Sequence, residues 1–230
     1  MKRARQPSTT VADRTVPDLD AGLTVLRTPH HRSSALHRVA LQAVRQADGP
    51  AYWIDARNTA ATYALFELAP SAHLKQIRIA RAFTAYQHQT LVERVVHRVT
   101  PRTGCLIVPN VASLYRDDDV PAYETEPLLE AATAALAQLG TAYDIPVLAT
   151  LGGPDDEAAA LVTEHARAEI TCEETALGYR FAGDDFETEV YWTDDHWQTT
   201  IPYWVDLLGA ADEEPERSLT GPALQFAVEG

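Results

Sequence analysis

The sequence is poor in cysteine. Its 230 residues contain only Cys105 and Cys172, which lie far apart and form no Cys-x-x-Cys or Cys-His spacing. Small secreted domains and zinc ribbons both need closely spaced cysteines, so a disulfide framework and a zinc ribbon are excluded. Two isolated cysteines are typical of a protein kept in a reducing cytoplasm.

Long hydrophobic runs are also absent. No run reaches the roughly 18 apolar residues that a membrane-spanning helix needs. The polar start of the chain, residues 1–16, contains basic residues but no apolar core of the kind found in signal peptides. We therefore predict a cytoplasmic protein with no membrane partner. Residues 1–16 are predicted to form a flexible leader.

Lysine is nearly missing, since Lys2 and Lys75 are the only two. Asp and Glu number 33 against 19 Lys and Arg, which gives a formal net charge of −14. Such a charge repels phosphate backbones and disfavours unaided nucleic-acid binding. Acidic, lysine-poor composition is also typical of proteins in a salt-rich cytoplasm, so we predict a halophilic source.

What the sequence does contain is a regular alternation of short apolar segments and longer helical patterns. This alternation predicts an α/β fold with a mostly parallel sheet covered by helices on both faces. The length suits one domain. The predicted strands include residues 23–26, 52–54, 77–80, 105–108 and 146–150, and the predicted helices include residues 33–46, 60–68, 86–99 and 128–143.

The pattern changes after Glu169. The segments EITCEET, LGYRFAG and FETEVYWT alternate with period two and are separated by turn signals, which predicts an antiparallel extension at the sheet edge. We predict a core domain over residues 17–210. Residues 211–230 form an acidic tail that is expected to fray, and its apolar run LQFAV is a candidate docking segment.

Four segments together resemble one known family. IARAFTAYQHQTLVERV at 79–95 is similar to the VARAxNxxHQxxL segment at the third core strand of RadA-type recombinases. YWIDARNTA (52–60), LIVPNVASLYR (106–116) and PVLAT (146–150) resemble, in the same order, the family's YIDTENTF segment, its Walker B strand and the strand that ends in TNQ. The resemblance covers about residues 17–151. It implies a RecA-like P-loop NTPase fold.

The residues that carry out the family's chemistry are replaced. A phosphate-binding loop needs glycines, a lysine and a Ser or Thr hydroxyl, but RTPHHRSSALHRVA (27–40) contains no glycine. Arg32 and Ser33 stand where the lysine and the hydroxyl would be, as a vestigial loop. The catalytic glutamate corresponds to Arg57, which is permanently protonated and cannot act as a base.

Two more catalytic positions are lost. Pro109, with Asn110 beside it, replaces the Walker B aspartate, and Leu151 replaces the polar residue after the fifth strand. The resemblance therefore implies a pseudo-ATPase with no catalytic residues and no cofactor. It implies action through contacts with a recombinase or another repair or chromosome-associated protein, in DNA recombination, repair or chromosome maintenance.

Two other hypotheses stay open. The first is a nucleotide-binding switch in which Arg32 and Ser33 hold an anion at a helix N-terminus and a partner supplies the missing carboxylate. The second is a DNA-binding accessory protein that uses its arginine-rich faces. Those faces contain Arg94, Arg98 and Arg102 on one side and Arg38 and Arg45 on the other.

DNA binding through the loops that recombinases use is not expected. Here these loops are residues 116–127 and 151–161, and they hold a concentration of carboxylates that would repel phosphates. The five clustered carboxylates are Asp117, Asp118, Asp119, Asp155 and Asp156.

Several other residues invite a functional interpretation, but we expect no metal site. His30, His31 and His37 lack the spacing of metal ligands, and the run Asp117–Asp119 is typical of a solvated loop. We favour core and helix-start roles for Phe83, His88 and Gln89 over an interface role. The aromatic residues Trp192, Trp197, Tyr203 and Trp204 fit either an interface or the edge of the core.

Overall fold

The structure is a computed structural model, and it describes residues 16–69, 71–176, 178–184, 186–192 and 197–199. The leader up to residue 15, Tyr203, Trp204 and the acidic tail at 211–230 lie outside the described residues, so the predictions made for them stay predictions.

Strands and helices alternate as predicted. The strands are β1 (Gly22–Arg27), β2 (Ala51–Ala56), β3 (Ile77–Ala82), β4 (Cys105–Val108), β5 (Pro146–Leu151), β6 (Ala168–Thr175), β7 (Gly178–Ala182), β8 (Glu187–Trp192) and β9 (Trp197–Thr199). The helices are α1 (Ala35–Gln46), α2 (Thr62–Leu68), α3 (Ser71–Leu74), α4 (Ala85–Val96), α5 (Ala122–Tyr143) and α6 (Glu157–Glu164), with a 3₁₀ helix at Ser113–Arg116.

The described strands form one sheet in the order β3-β2-β4-β5-β1-β6-β7-β8-β9. All neighbouring pairs from β3 to β6 are parallel, and the pairs from β6 to β9 are antiparallel. The α/β class with a mostly parallel sheet is therefore confirmed. The antiparallel extension predicted after Glu169 is present from β6 to β9, and β6, which contains EITCEET, also pairs in parallel with β1, with Thr24 opposite Ala168.

Apolar residues cover both faces of the sheet. In β2, Trp53 points to the face covered by α1 and α2, and Ile54 points to the face covered by α4, α5 and α6. In β4, Ile107 points to the same face as Trp53, and Leu106 points to the same face as Ile54. A parallel strand buried on both faces has no polar side, which explains why CLIV is apolar throughout.

Two helices differ from their predicted bounds. The prediction began α5 at Leu128. The helix instead begins at Ala122 and contains Pro127. Helix α6 lies in a segment predicted to be a loop, and it begins where the Asp156 carboxylate accepts a hydrogen bond from the backbone N–H of Ala159, with a distance of 3.0 Å.

Candidate functional site

The carboxyl ends of the parallel strands meet at one edge of the sheet, which we call the carboxyl edge. Crevices outside the carboxyl ends of strands are where open α/β sheets bind ligands. Two adjoining clefts of about 410 and 300 Å³ lie there, and both are lined by His31 and Arg57. The larger is also lined by Asn110 and Leu151, and the smaller by Arg32 and Ser33. The structure thus brings the predicted positions together.

The loop between β1 and α1 satisfies much of its own backbone. The N–H of Arg32 donates to His30 Nδ1 at 3.2 Å, and the N–H of Ser33 donates to the His30 carbonyl at 3.1 Å. The Ser33 side chain is buried, and its Oγ accepts from the N–H of Ala35 at 3.3 Å. Two backbone donors that a phosphate-binding loop would direct at its ligand are therefore occupied.

Residues from β4 and β5 hold this loop in place. Asn110 has a left-handed backbone, with φ of 50°, and its side-chain Nδ2 donates to the His31 carbonyl at 3.0 Å. Its backbone N–H donates to Thr150 Oγ1 at 2.9 Å. Gly152 lies so close that a Cβ atom there would come within 2.6 Å of His31 N. A larger residue than glycine would displace the loop.

The turn after β2 is built around a buried aspartate. Asp55 Oδ1 accepts hydrogen bonds from Thr59 N at 2.8 Å, Thr59 Oγ1 at 2.6 Å and Ala60 N at 3.2 Å. Its Oδ2 lies 3.3 Å from Arg81 Nε. The two turn residues Arg57 and Asn58 both have left-handed backbones, with φ of 62° and 55°. Asp55 thus fixes a turn whose backbone conformation is otherwise unfavourable.

The turn directs Arg57 towards the segment that follows β4. The Arg57 guanidinium forms an ion pair with Asp117 and donates a hydrogen bond of 2.7 Å to the Ser113 carbonyl. The position that the family resemblance assigns to a catalytic glutamate therefore holds a cation that is bound to the chain itself.

A second ion pair connects the segment after β4 to α6. Arg116 Nε donates to Asp156 Oδ2 at 2.7 Å, and its Nη2 donates to Asp156 Oδ1. The hydrogen bond from Arg116 is the main reason that the pKa of Asp156 falls from 3.8 to about 2. Asp156 therefore holds Arg116 and caps α6 at the same time.

A third set of contacts lies at the end of β1. Arg27 pairs with Glu169 on β6, with Asp155 Oδ1 at 3.1 Å and with Thr163 Oγ1 at 3.1 Å. Three of the five carboxylates that the sequence placed in acidic loops are thus neutralised by arginines. Asp118 and Asp119 are exposed.

The sequence analysis missed Arg27 and Arg116 as site residues. Each stands at the end of an apolar segment, where the parallel arrangement brings charged side chains from separate loops together. That position was the signal available in the sequence, although the partners of these arginines are set only by the fold.

His30 and His37 each lie close to a polar group of the chain itself. His37 is buried, its Nε2 lies 2.9 Å from the Thr59 carbonyl oxygen, and desolvation lowers its pKa. His30 Nε2 lies 3.8 Å from Glu174. Among the described residues, no group of three or more His, Cys, Asp or Glu side chains is arranged to hold a metal ion.

Cys105 and Cys172 are buried free thiols, and burial raises the pKa of each to about 12.

The family-like segment at β3 and α4 has a buried and an exposed part. His88 is fully buried, and its Nδ1 lies 2.9 Å from the Tyr115 hydroxyl. Burial lowers the pKa of His88 to about 4. The preferred core role therefore fits His88. Phe83 is 69% exposed, so the core role does not fit it, but its backbone N–H donates to Gln87 Oε1 at 2.9 Å just before α4, which fits the helix-start role.

The arginine-rich faces separate in the structure. Arg94 and Arg98 line a groove together with Arg78, whereas Arg102 is not among its lining residues. On the other face, Arg45 donates to the Leu68 carbonyl at 2.8 Å.

No protein-family model matches the chain, and no curated protein matches it. Within the described part of the chain, every helix is too short or too polar to cross a membrane.

Proposed function

We propose that this chain is a non-catalytic RecA/RadA-like protein, a pseudo-ATPase that acts through contacts with a recombinase or another repair or chromosome-associated protein. The observation that carries the proposal is the state of Arg57. A catalytic carboxylate is expected at this position in the family, but here a guanidinium bound to Asp117 and Ser113 occupies it. It has no lone pair with which to activate water.

The loop before α1 supports the same proposal. The N–H groups of Arg32 and Ser33 donate within the loop, and the Ser33 hydroxyl is buried. Phosphoryl transfer is catalysed almost entirely by positioning and electrostatics, so occupied donors leave little to bind the phosphates.

The ion pairs at the carboxyl edge supply a further reason. Arg27, Arg57 and Arg116 each connect two separate segments of the chain through an ion pair. An edge that the chain stabilises by itself suits a constant binding scaffold better than a cycle of nucleotide binding and release.

The proposal is tested with purified protein in high salt. We expect no calorimetric signal for Mg-ATP or Mg-ADP and no phosphate release above a protein-free blank. The matched control is Arg57→Glu, which restores a carboxylate at the catalytic position. It should stay inactive because the loop before α1 is unchanged. The proposal would be contradicted if the wild-type protein hydrolysed ATP in a magnesium-dependent reaction and Arg57→Glu changed the rate of that reaction.

The partner half of the proposal needs its own measurement. Purified recombinase from the same organism should bind the protein at native salt, in the presence and in the absence of nucleotide. Binding that requires ATP on this chain would favour the nucleotide switch instead.

The DNA-binding alternative has one observation in its favour, which is that Arg94 and Arg98 share a groove with Arg78. It predicts an affinity for DNA that falls steeply with salt, by roughly one counterion released per phosphate contact.

A further inference from the structure

A groove of about 340 Å³ lies between α4 and the strands β2 and β3, far from the loops of the carboxyl edge. We call it the arginine groove. Its exposed rim is formed by Arg78, Arg94 and Arg98. Its floor is mostly apolar and includes Tyr52, Ile79, Leu91 and Val95.

The three rim arginines have no side-chain partner among the described residues. Within the described ranges, none of their guanidinium groups has an ion-pair or hydrogen-bond partner. Arg94 lies in the last turn of α4 and Arg98 in the turn that follows the helix, and both side chains line the groove. In a chain with 33 carboxylates and only 19 basic residues, three neighbouring cations without partners are unexpected.

The shape and the charge of the groove favour an acidic peptide over a nucleic acid. Arginine forks bind carboxylates as well as phosphates. The net charge of −14 repels a long polyanion more strongly than a short acidic segment. An apolar floor offers contacts to aliphatic side chains but none to a sugar-phosphate backbone.

We propose that the arginine groove binds the acidic segment 211–230 of this chain. That segment combines five carboxylates with the apolar run LQFAV at 224–228. Its acidic residues, which match the rim, are Asp212, Glu213, Glu214, Glu216 and Glu229.

The chain is long enough for this contact. β3 and β9 are at opposite ends of the sheet, eight strand spacings or about 38 Å apart. The stretch from Thr199 to Asp212 spans up to about 43 Å when extended. One chain can therefore reach its own groove, and a second copy can supply the segment equally well. A bound tail would compete with any acidic partner for the arginine groove. This competition would regulate the binding of the partner independently of the state of the nucleotide site.

The test is a charge-swap cycle on the full-length protein, with hydrogen–deuterium exchange of residues 77–96 as the readout. The experiment uses the lowest salt at which circular dichroism shows a folded chain. The tail variant is Glu213→Arg with Glu214→Arg, and the groove variant is Arg94→Glu with Arg98→Glu. Each should speed exchange in this region by about fivefold, and combining the two should restore the wild-type protection.

Two controls keep the result interpretable. Lys75→Glu with Arg102→Glu changes the charge by the same amount at exposed positions outside the groove, and it should leave exchange at 77–96 unchanged. Exchange in β5 reports on the fold as a whole. The tail variant does not alter the groove, so it decides the question even if the groove variant fails to fold.

Some outcomes overturn the proposal. A tail variant with wild-type exchange would do so, and so would a combined variant without restored protection. If a labelled single-stranded oligonucleotide binds and only the groove variant abolishes that binding, while the tail variant exchanges as the wild type does, the groove is a nucleic-acid site. An effect of the tail that weakens on dilution assigns the segment to a second copy, and one independent of concentration assigns it to the same chain.

Discussion

The carboxyl edge and the arginine groove use the same residue type in opposite ways. At the edge, Arg27, Arg57 and Arg116 each pair with a carboxylate from another loop. In the groove, none of the rim arginines has a partner within the described chain. Paired arginines stabilise the fold, and unpaired ones are available to another molecule. The distinction is open to mutation, because substitutions at the edge should change stability and those in the groove should not.

The largest effect is expected at Asp55, which organises the turn beneath the edge. Asp55→Ala leaves the buried N–H groups of Thr59 and Ala60 without their acceptor, and we expect a loss of about 3 kcal/mol in the free energy of unfolding. Asp55→Asn keeps an oxygen that accepts from the same donors, so it should lose clearly less. Denaturant unfolding at a fixed salt concentration measures both, and equal losses would show that the negative charge matters more than the acceptor.

A smaller effect is expected at Arg116. Arg116→Ala removes the pair with Asp156, which is partly exposed to solvent, and should cost about 1 kcal/mol at neutral pH.

The same variant makes a pH prediction. The pKa of Asp156 is about 2 in the folded protein, below its ordinary 3.8, so the unfolded state takes up its proton first as the pH falls. The stability that the pair contributes is therefore present above pH 3.8 and disappears as the pH falls to about 2. The wild-type and Arg116→Ala unfolding curves should converge over that range. A difference that persists below it would mean that Arg116 acts through another contact.

The smallest effect is expected in the groove. In high salt, which screens a contact between these arginines and the acidic segment 211–230, Arg94→Ala with Arg98→Ala should change the free energy of unfolding by no more than about 0.5 kcal/mol, because neither side chain has a partner among the described residues. Thermal unfolding of this double variant and of Arg116→Ala, measured in parallel, compares the arginine groove with the carboxyl edge directly. A loss as large as that of Arg116→Ala would remove the distinction between them.

The elements were predictable because the periodicity of apolar residues is a local property. CLIV gave β4 with its observed bounds, and PVLAT gave β5 to within one residue. The parallel pairing of β6 with β1 was not predictable in this way, because the alternation in β6 matches its antiparallel pairing with β7 and contains no signal for its other neighbour.

The candidate site was predictable in part. The loop positions, including Arg32, Ser33, Arg57 and Asn110, do meet at one edge, as expected when parallel strands end together. The acidic loops were judged by their charge alone, and their arginine partners come from distant parts of the sequence. Asp155, for example, pairs with Arg27 at the end of the first strand. Such partners depend on the fold and leave no local pattern.

The central place of β1 in the sheet has a consequence for how the chain folds. β1 lies between β5 and β6, so Gly22 pairs opposite Pro146 and Thr24 opposite Ala168. During synthesis, the first strand therefore waits for more than half of the chain before it gains either neighbour. Folding dominated by such distant pairings is slow, and it exposes unpaired strand edges in the meantime. The N-terminal half therefore has no complete sheet of its own, and a chain that stops before residue 146 leaves β1 without either of its parallel partners.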